Sequence, residues 1–363
     1  MLILEYLQRV TLTALDILNG ASVWLVISFV LAGLLHNLIS PDGLQRMLGN
    51  RKISTLVKST VSGMLLPICS CGVIPLGLGL YYSGAYLGPV LAFMTATPII
   101  NPAAVLLAYG FLGPQIATIY LVTGFVVPVL IGMVGNKLAG SEIHAPGFEG
   151  PVKPVEFEPG EQVSLVQKLK TGLHWGFFDM GVSVSKYVCI GMLLAGLIIV
   201  LVPPALIQQY LGNPGLISVA GIALLGAIMY VCAVGHIPFI AALIASGAAP
   251  GLAITFLMTG AATNLPELIS MYKLIGRRTV LIYSSTLVGA SLLIGYLTNK
   301  LLLPGFTPFF DLSKTRQTVG LANNLIFAAP EPLRYLCSAA VLLLGLYALW
   351  PGLKRRLARL RAA

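Results

Sequence analysis

The chain has 363 residues, of which 57% are hydrophobic and only 9% charged, and its mean hydropathy is +0.91. A soluble domain carries about 25% charged residues, so the composition excludes a soluble globular protein and points to a polytopic membrane protein. The net charge of +10 is concentrated in short loops and in the C-terminal "LKRRLARLRAA". There it reads as a topology signal and a contact for anionic lipid headgroups, not as a nucleic-acid surface.

The first 18 residues carry Glu5, Arg9 and Asp16. They lack the basic start and apolar core of a cleavable signal and read as an amphipathic interfacial helix. A crossing helix needs about 20 mostly apolar residues, and such runs lie at 18–39, 115–138, 178–202, 279–302 and 332–352. Two longer apolar regions, 56–112 and 216–274, are punctured by Pro and Gly. The expected organisation is a first transmembrane repeat over 1–138, a polar cytoplasmic linker over 139–163 and a second repeat over 164–302. An external loop, one extra transmembrane helix and a basic cytoplasmic tail occupy 303–363.

The repeats follow from an ungapped offset of 163 residues, as from Cys69 to Cys232. In that register Gly72 falls on Gly235, Pro75 on Pro238, Ser83 on Ser246, Asn101 on Asn264 and Tyr109 on Tyr272. Chance matches of Leu and Ala would not keep Cys, Pro and Asn in one frame. Basic residues mark cytoplasmic loops. The loop at 41–58 holds Arg46, Arg51, Lys52 and Lys58, and its copy at 204–221 holds none. The turn at Gly113 holds none, whereas its copy holds Lys273, Arg277 and Arg278. This exchange predicts an all-α fold of two inverted-topology repeats, with the C-terminus cytoplasmic. Between 58 and 113 the chain must cross an odd number of times, yet 56–112 is long enough for two crossings. Part of it is therefore expected to be re-entrant, with irregular backbone buried in protein or lining a watery cavity.

Residues expected at the helix breaks are Pro67, Gly72, Pro75, Pro98 and Pro102 in the first repeat and Gly235, Pro238 and Pro266 in the second. Prolines remove helical hydrogen bonds, and the freed backbone groups can face a solute. Cys69, Cys71 and Cys232 are soft candidate ligands for a transported thiophilic metal or metalloid, with His236 four residues beyond Cys232. Each cysteine alone can equally be a small core residue. Asn101 and Asn264 either brace the broken backbone or contact solute. Glu267, in "NLPELISMY", is a candidate proton-coupling acid; with Lys273 and Arg277 following at helical spacing, it could instead be an interfacial ion-pair partner. Hydrolase, zinc-protease and nucleotide-binding signatures are absent from the sequence. The chain is thus expected to be neither an enzyme nor the holder of a resident cofactor.

"PICSCGVIPLGLGLYYSGAYLGPVLAFMTATPIINP" and "YVCAVGHIPFIAALIASGAAPGLAITFLMTGAATNLPE" together resemble the permease family that contains ArsP-type organoarsenical efflux proteins and YraQ-like permeases. The resemblance runs from about residue 20 to 300. It implies secondary efflux across a prokaryotic inner membrane, with trivalent organoarsenicals as the substrate type, and such substrates favour thiolates. Three readings stay open: a thiophile exporter with a proton as the coupling ion, a permease for another small solute or a Cu/Zn-type ion with packing cysteines, and an intramembrane thiol redox protein.

Overall fold

The computed structural model describes residues 2–38, 48, 50–66, 70–145, 165–201, 215–228, 231–245, 248–302 and 329–361. Among them every regular element is helical. The first repeat contains α1 (Leu2–Leu38), α2 (Ile53–Met64), α3 (Ser70–Tyr82), α4 (Leu87–Ile99), α5 (Pro102–Phe111) and α6 (Gly113–Leu138). A 3-10 turn over Gly140–Ile143 follows. The second repeat contains α7 (Leu165–His174), a π-helical stretch (Trp175–Gly181), α8 (Val182–Leu201), α9 (Leu216–Ile228), α10 (Ala233–Ala245), α11 (Pro250–Ala262), α12 (Leu265–Leu274) and α13 (Arg277–Leu302). The last helix is α14 (Glu331–Arg361).

The 163-residue register extends to the helix bounds. Adding it to α3, α4 and α5 gives α10, α11 and α12 residue for residue, and α1 maps onto the whole of α7–π–α8. Among the described residues five helices are long and apolar enough to cross a membrane, or up to seven with each of the bent pairs α4–α5 and α11–α12 as one span. Both pairs bend by 43°. In α1 the first 18 residues do not form a separate interfacial helix, because no breaker interrupts the run to Leu38.

Helices α2 and α3 are 12 and 13 residues long, about 20 Å each at 1.5 Å per residue, which is short of a hydrocarbon core of about 30 Å. They form a hairpin whose two ends meet. Tyr86 N–H, just after α3, donates to the carbonyl of Leu48, just before α2 (3.1 Å). Ser59 of α2 also donates to the Pro89 carbonyl (2.6 Å). Helix α3 stops on Ser83-Gly84-Ala85. Gly84 takes a left-handed φ of 98°, and Ala85 N–H reaches back to the Leu80 carbonyl (3.1 Å), as in a glycine-terminated helix. The copy, Ala248 N–H to Leu243 carbonyl (3.0 Å), ends α10.

The proline assignments need correction. Gly72 and Pro75 lie inside α3, Gly235 and Pro238 inside α10, and Pro98 inside α4. A helical proline removes one hydrogen bond, here the one that the carbonyl of Cys71, Val234 or Met94 would accept. Neighbouring helices hold both sides of each site, so the helix continues. The breaks fall at Ile100–Asn101 and Thr263–Asn264, and Pro102 and Pro266 sit in the first turn of the following helix, where a missing N–H costs nothing. Pro67 lies outside the described residues.

The second arm of each bent pair packs against the other repeat: α5 against α10, and α12 against α3. Twin helices α4 and α11 also touch, as do α6 and α13. Within each repeat the approach is close. A Cβ at Gly88 would overlap the Asn136 amide and the Gly132 carbonyl, and one at Gly251 would overlap the Gly295 carbonyl and the Asn299 amide. Those asparagines accept from Gly88 N–H (3.1 Å) and Gly251 N–H (2.6 Å), so they serve the first turns of α4 and α11. Gly88→Ala and Gly251→Ala are each expected to cost roughly 1–3 kcal/mol by overpacking. This would appear as a lowered unfolding midpoint in detergent, and an unchanged midpoint for both variants would refute the packing described.

Candidate functional site: two serviced helix breaks and a buried acid

Each bent pair leaves orphan carbonyls at the end of its first arm and orphan N–H groups at the start of its second. In an apolar interior these must be satisfied by protein. On the N–H side, Asn101 Oδ1 accepts from Ala104 N–H (2.9 Å) and Asn264 Oδ1 from Glu267 N–H (3.1 Å). Both asparagines are therefore N-caps, and their relative exposures are 6% and 0%. On the carbonyl side, the Tyr120 hydroxyl donates to the Ile99 carbonyl. Its twin Tyr283 lies 2.5 Å from the Ala262 carbonyl. The two tyrosines were not singled out in the sequence, although they coincide in the repeat register and a buried tyrosine hydroxyl normally has a partner.

Of several differences between the two breaks, one introduces an ionisable side chain. Where the first repeat has Ala104, the second has Glu267, which is fully buried. Its Oε2 accepts from Asn264 Nδ2 (3.3 Å), and its Oε1 lies 3.2 Å from the Tyr283 hydroxyl. Among the described residues no lysine or arginine pairs with it, so the interfacial ion pair with Lys273 or Arg277 is not formed. Lys273 instead stands 5.3 Å over the ring of Tyr272. Thr95, from α4 of the other repeat, donates its hydroxyl to the Leu91 carbonyl (2.6 Å). The Tyr283 hydroxyl therefore has two oxygen neighbours, the Ala262 carbonyl and Glu267 Oε1, and one hydrogen to share between them. Helix α8 lies tight against this break: a Cβ at Gly191 would overlap Pro266.

Cys232 precedes α10, at the end of the α9–α10 connection. The helix that follows it, α10, packs against α5 of the first repeat. His236 turns back on the cysteine, with Nδ1 3.0 Å from the Cys232 carbonyl, and sits 6.1 Å from the Phe256 ring. Cys69 lies outside the described residues. Cys71 belongs to the first turn of α3, and its side chain lies outside the described residues. Within those limits no cluster of three His, Cys, Asp or Glu side chains forms a metal site. A cavity of about 320 Å³ lies along the α2–α3 hairpin, lined by Leu48, Lys58, Ser59, Ser62, Leu66 and Phe93 among others, and it reaches the residue before Pro67.

The start of the linker is docked. Glu142 accepts from the backbone N–H groups of Arg278 (3.2 Å) and Thr279 (2.6 Å) in the first turn of α13, a favourable place for a carboxylate. The Tyr81 hydroxyl donates to the carbonyls of Glu142 (2.9 Å) and His144 (2.8 Å); one hydrogen is shared between them.

Up to seven apolar crossings, two of them broken and braced at their centres, with a buried unpaired acid at one break, define a multi-pass membrane protein with the architecture of a transporter. The chain belongs to the family described as "Predicted permease", which matches residues 7–300, and is thus a transporter rather than an enzyme. It is 25% identical to UPF0718 protein MJ0584 of Methanocaldococcus jannaschii, over 80% of this chain and 95% of that one. It is 24% identical to UPF0718 protein YcgR of Bacillus subtilis (76% and 91% covered) and 25% identical to UPF0718 protein YraQ of Escherichia coli (74% and 75%). No solved structure matches the chain significantly.

Tyr120→Phe leaves the Ile99 carbonyl without its buried donor. It is expected to destabilise the protein by roughly 1–3 kcal/mol, read as a lowered midpoint of thermal unfolding in detergent. A midpoint equal to wild type would show that the tyrosine does not brace the break.

Proposed function

We propose that this permease is a proton-coupled secondary exporter of a thiophilic metal or metalloid species, working between two antiparallel halves. The observation that carries the proposal is Glu267, a fully buried acid without a cationic partner among the described residues, set in the first turn after a helix break. Intramembrane acids of this kind mark ion and proton routes.

The antiparallel arrangement is supported by contacts at the helix ends. Glu142, four residues after the end of α6, caps the start of α13, and the two helices also pack together. Twin helices therefore run in opposite directions, and the α2–α3 and α9–α10 hairpins would dip in from opposite faces. The basic turn Lys273–Arg278 shares a face with the linker; by the positive-inside rule that face is cytoplasmic. Seven crossings then leave the C-terminal tail on the cytoplasmic side of the inner membrane.

Coupling follows from the single hydrogen of Tyr283. When the Tyr283 hydroxyl donates to the Ala262 carbonyl, Glu267 can complete its own contact only as the protonated acid, donating to the tyrosine oxygen. Loss of that proton recruits the tyrosine hydrogen to the carboxylate and frees the carbonyl at the break. Protonation of Glu267 thereby sets the hydrogen bonding of the hinge. The cargo would meet soft ligands from Cys232 and, in the first repeat, from Cys69 and Cys71. Asn101, Asn264 and His236 are committed to backbone contacts in the structure, so a solute role for them requires those contacts to open. That commitment favours, as a second reading, a permease for another small solute in which the cysteines only pack.

Everted-vesicle uptake separates the readings. With trivalent methylarsenical, Cu(I) and Zn(II) offered in turn, Cys69→Ser, Cys71→Ser and Cys232→Ser are each expected to reduce transport of the cargo species at least about tenfold, the scale of losing one ligand. Wild-type rates in all three variants would overturn the thiolate site and leave the second reading. Glu267→Gln, a permanent mimic of the protonated acid, is expected to abolish the dependence of uptake on the pH gradient while sparing downhill exchange. Gradient-driven uptake that persists in Glu267→Gln would exclude this acid from coupling.

A further inference from the structure

A second cavity lies away from both breaks. It has a volume of about 310 Å³ and is lined by Tyr82, Trp175, Asp179, Met180, Ser183 and Leu274. The π-helical stretch Trp175–Gly181 builds one wall. π-turns widen a helix by one residue and are frequent at functional sites. Here the widened turn sits where α7 presses on α1: a Cβ at Gly176 would overlap the Phe29 carbonyl, and one at Gly33 would overlap the Gly172 carbonyl. The opposite wall is fixed by the Tyr82 hydroxyl, which donates to the Leu274 carbonyl at the end of α12 (2.5 Å).

The repeat supplies an internal comparison. The copy of Asp179 is Asp16, on a stretch of α1 that is regular α-helix. The copies of Trp175, Ser183 and Tyr82 are Leu12, Gly20 and Ala245, none of which could form this wall. The π-turn, the two aromatic rings and the hydroxyl thus occur together around one of the two aspartates only. Among the described residues Asp179 makes no ion pair. The nearby lysines face their own neighbours, with Lys186 5.4 Å over the Tyr187 ring and Lys273 5.3 Å over the Tyr272 ring.

We infer that this cavity is a binding site for an alkylammonium group, held between the Tyr82 and Trp175 rings with Asp179 as counter-ion. Aromatic walls with a carboxylate fit a weakly hydrated organic cation through ring quadrupole and charge, better than a compact metal ion that needs oxygen ligands. Tyr82 and Leu274 neighbour the linker contact of Tyr81 and the Arg277–Arg278 turn, so the site lies at the level of that membrane face. The cation can be a free solute or the ammonium of a lipid headgroup.

The test uses full-length protein carrying Trp24→Phe and Trp350→Phe, which leaves Trp175 as the sole tryptophan. In phosphatidylglycerol nanodiscs, tetraethylammonium chloride is expected to change Trp175 fluorescence saturably, whereas equal sodium chloride does not. Asp179→Asn should weaken the midpoint by about threefold, the scale of one exposed ion pair; Asp179→Glu, which keeps the charge, should restore most of it. A non-saturating response, one matched by sodium, or one unmoved by Asp179→Asn overturns the site. Adding phosphatidylcholine distinguishes the sources: a raised midpoint identifies a headgroup as occupant, and an unchanged midpoint a free cation, each consistent with an alkylammonium site. The readout is binding, so the result is independent of the export proposal.

Discussion

Backbone groups released inside an apolar bundle have to be given partners by the protein, and this constraint shapes the whole molecule. A helix that stops at mid-depth exposes carbonyls at one side of the stop and N–H groups at the other, each costly to bury unpaired. The chain meets this twice with the same parts. An asparagine caps the second arm, a tyrosine from the next helix serves the last carbonyl of the first arm, and a proline occupies the first turn, where its missing N–H is harmless. Interruption of the helix is thereby compatible with a single, well-specified structure.

From the serviced breaks the remaining architecture follows. Glycines at 88, 132, 251 and 295 let helices approach closely enough for the tyrosine and asparagine side chains to reach across. The second arms then pack on the opposite repeat, which brings each break under the hairpin of the other half. One departure from symmetry at the breaks, Glu267 in place of Ala104, places a carboxyl group at the second hinge.

Much of this was legible in the sequence because polar and special residues in an apolar background are few and hard to align by chance. Cys69/Cys232, Pro75/Pro238 and Asn101/Asn264 disclosed the duplication, and the exchanged basic loops raised the expectation of opposite insertion. The breaks beside Pro102 and Pro266 were legible, and the continuity of the helix through the other prolines was not. Pro75, Pro238 and Pro98 look like stops, yet they remain helical because tertiary packing outweighs one lost hydrogen bond. Tyr120 and Tyr283 passed as ordinary apolar-helix residues, since a tyrosine hydroxyl reveals its role only when its acceptor, 21 residues away, is seen beside it. Likewise Glu142, read as part of a featureless polar linker, is a helix cap whose partner lies 137 residues further on. The π-turn at Trp175–Gly181 leaves no periodic signature, because it arises from the pressure of α1 on Gly172 and Gly176.

The central claim is that the two halves are antiparallel, so that hairpins from opposite faces meet at the breaks. It is tested most directly by sidedness at the twin hairpin bases, Lys52 and Gly215, both solvent-exposed. In a background with the five native cysteines replaced, Lys52→Cys and Gly215→Cys would be labelled in intact cells and in everted vesicles with a membrane-impermeant maleimide. The account predicts that Lys52→Cys reacts only in everted vesicles and Gly215→Cys only in intact cells. Labelling of both from the same side would contradict it.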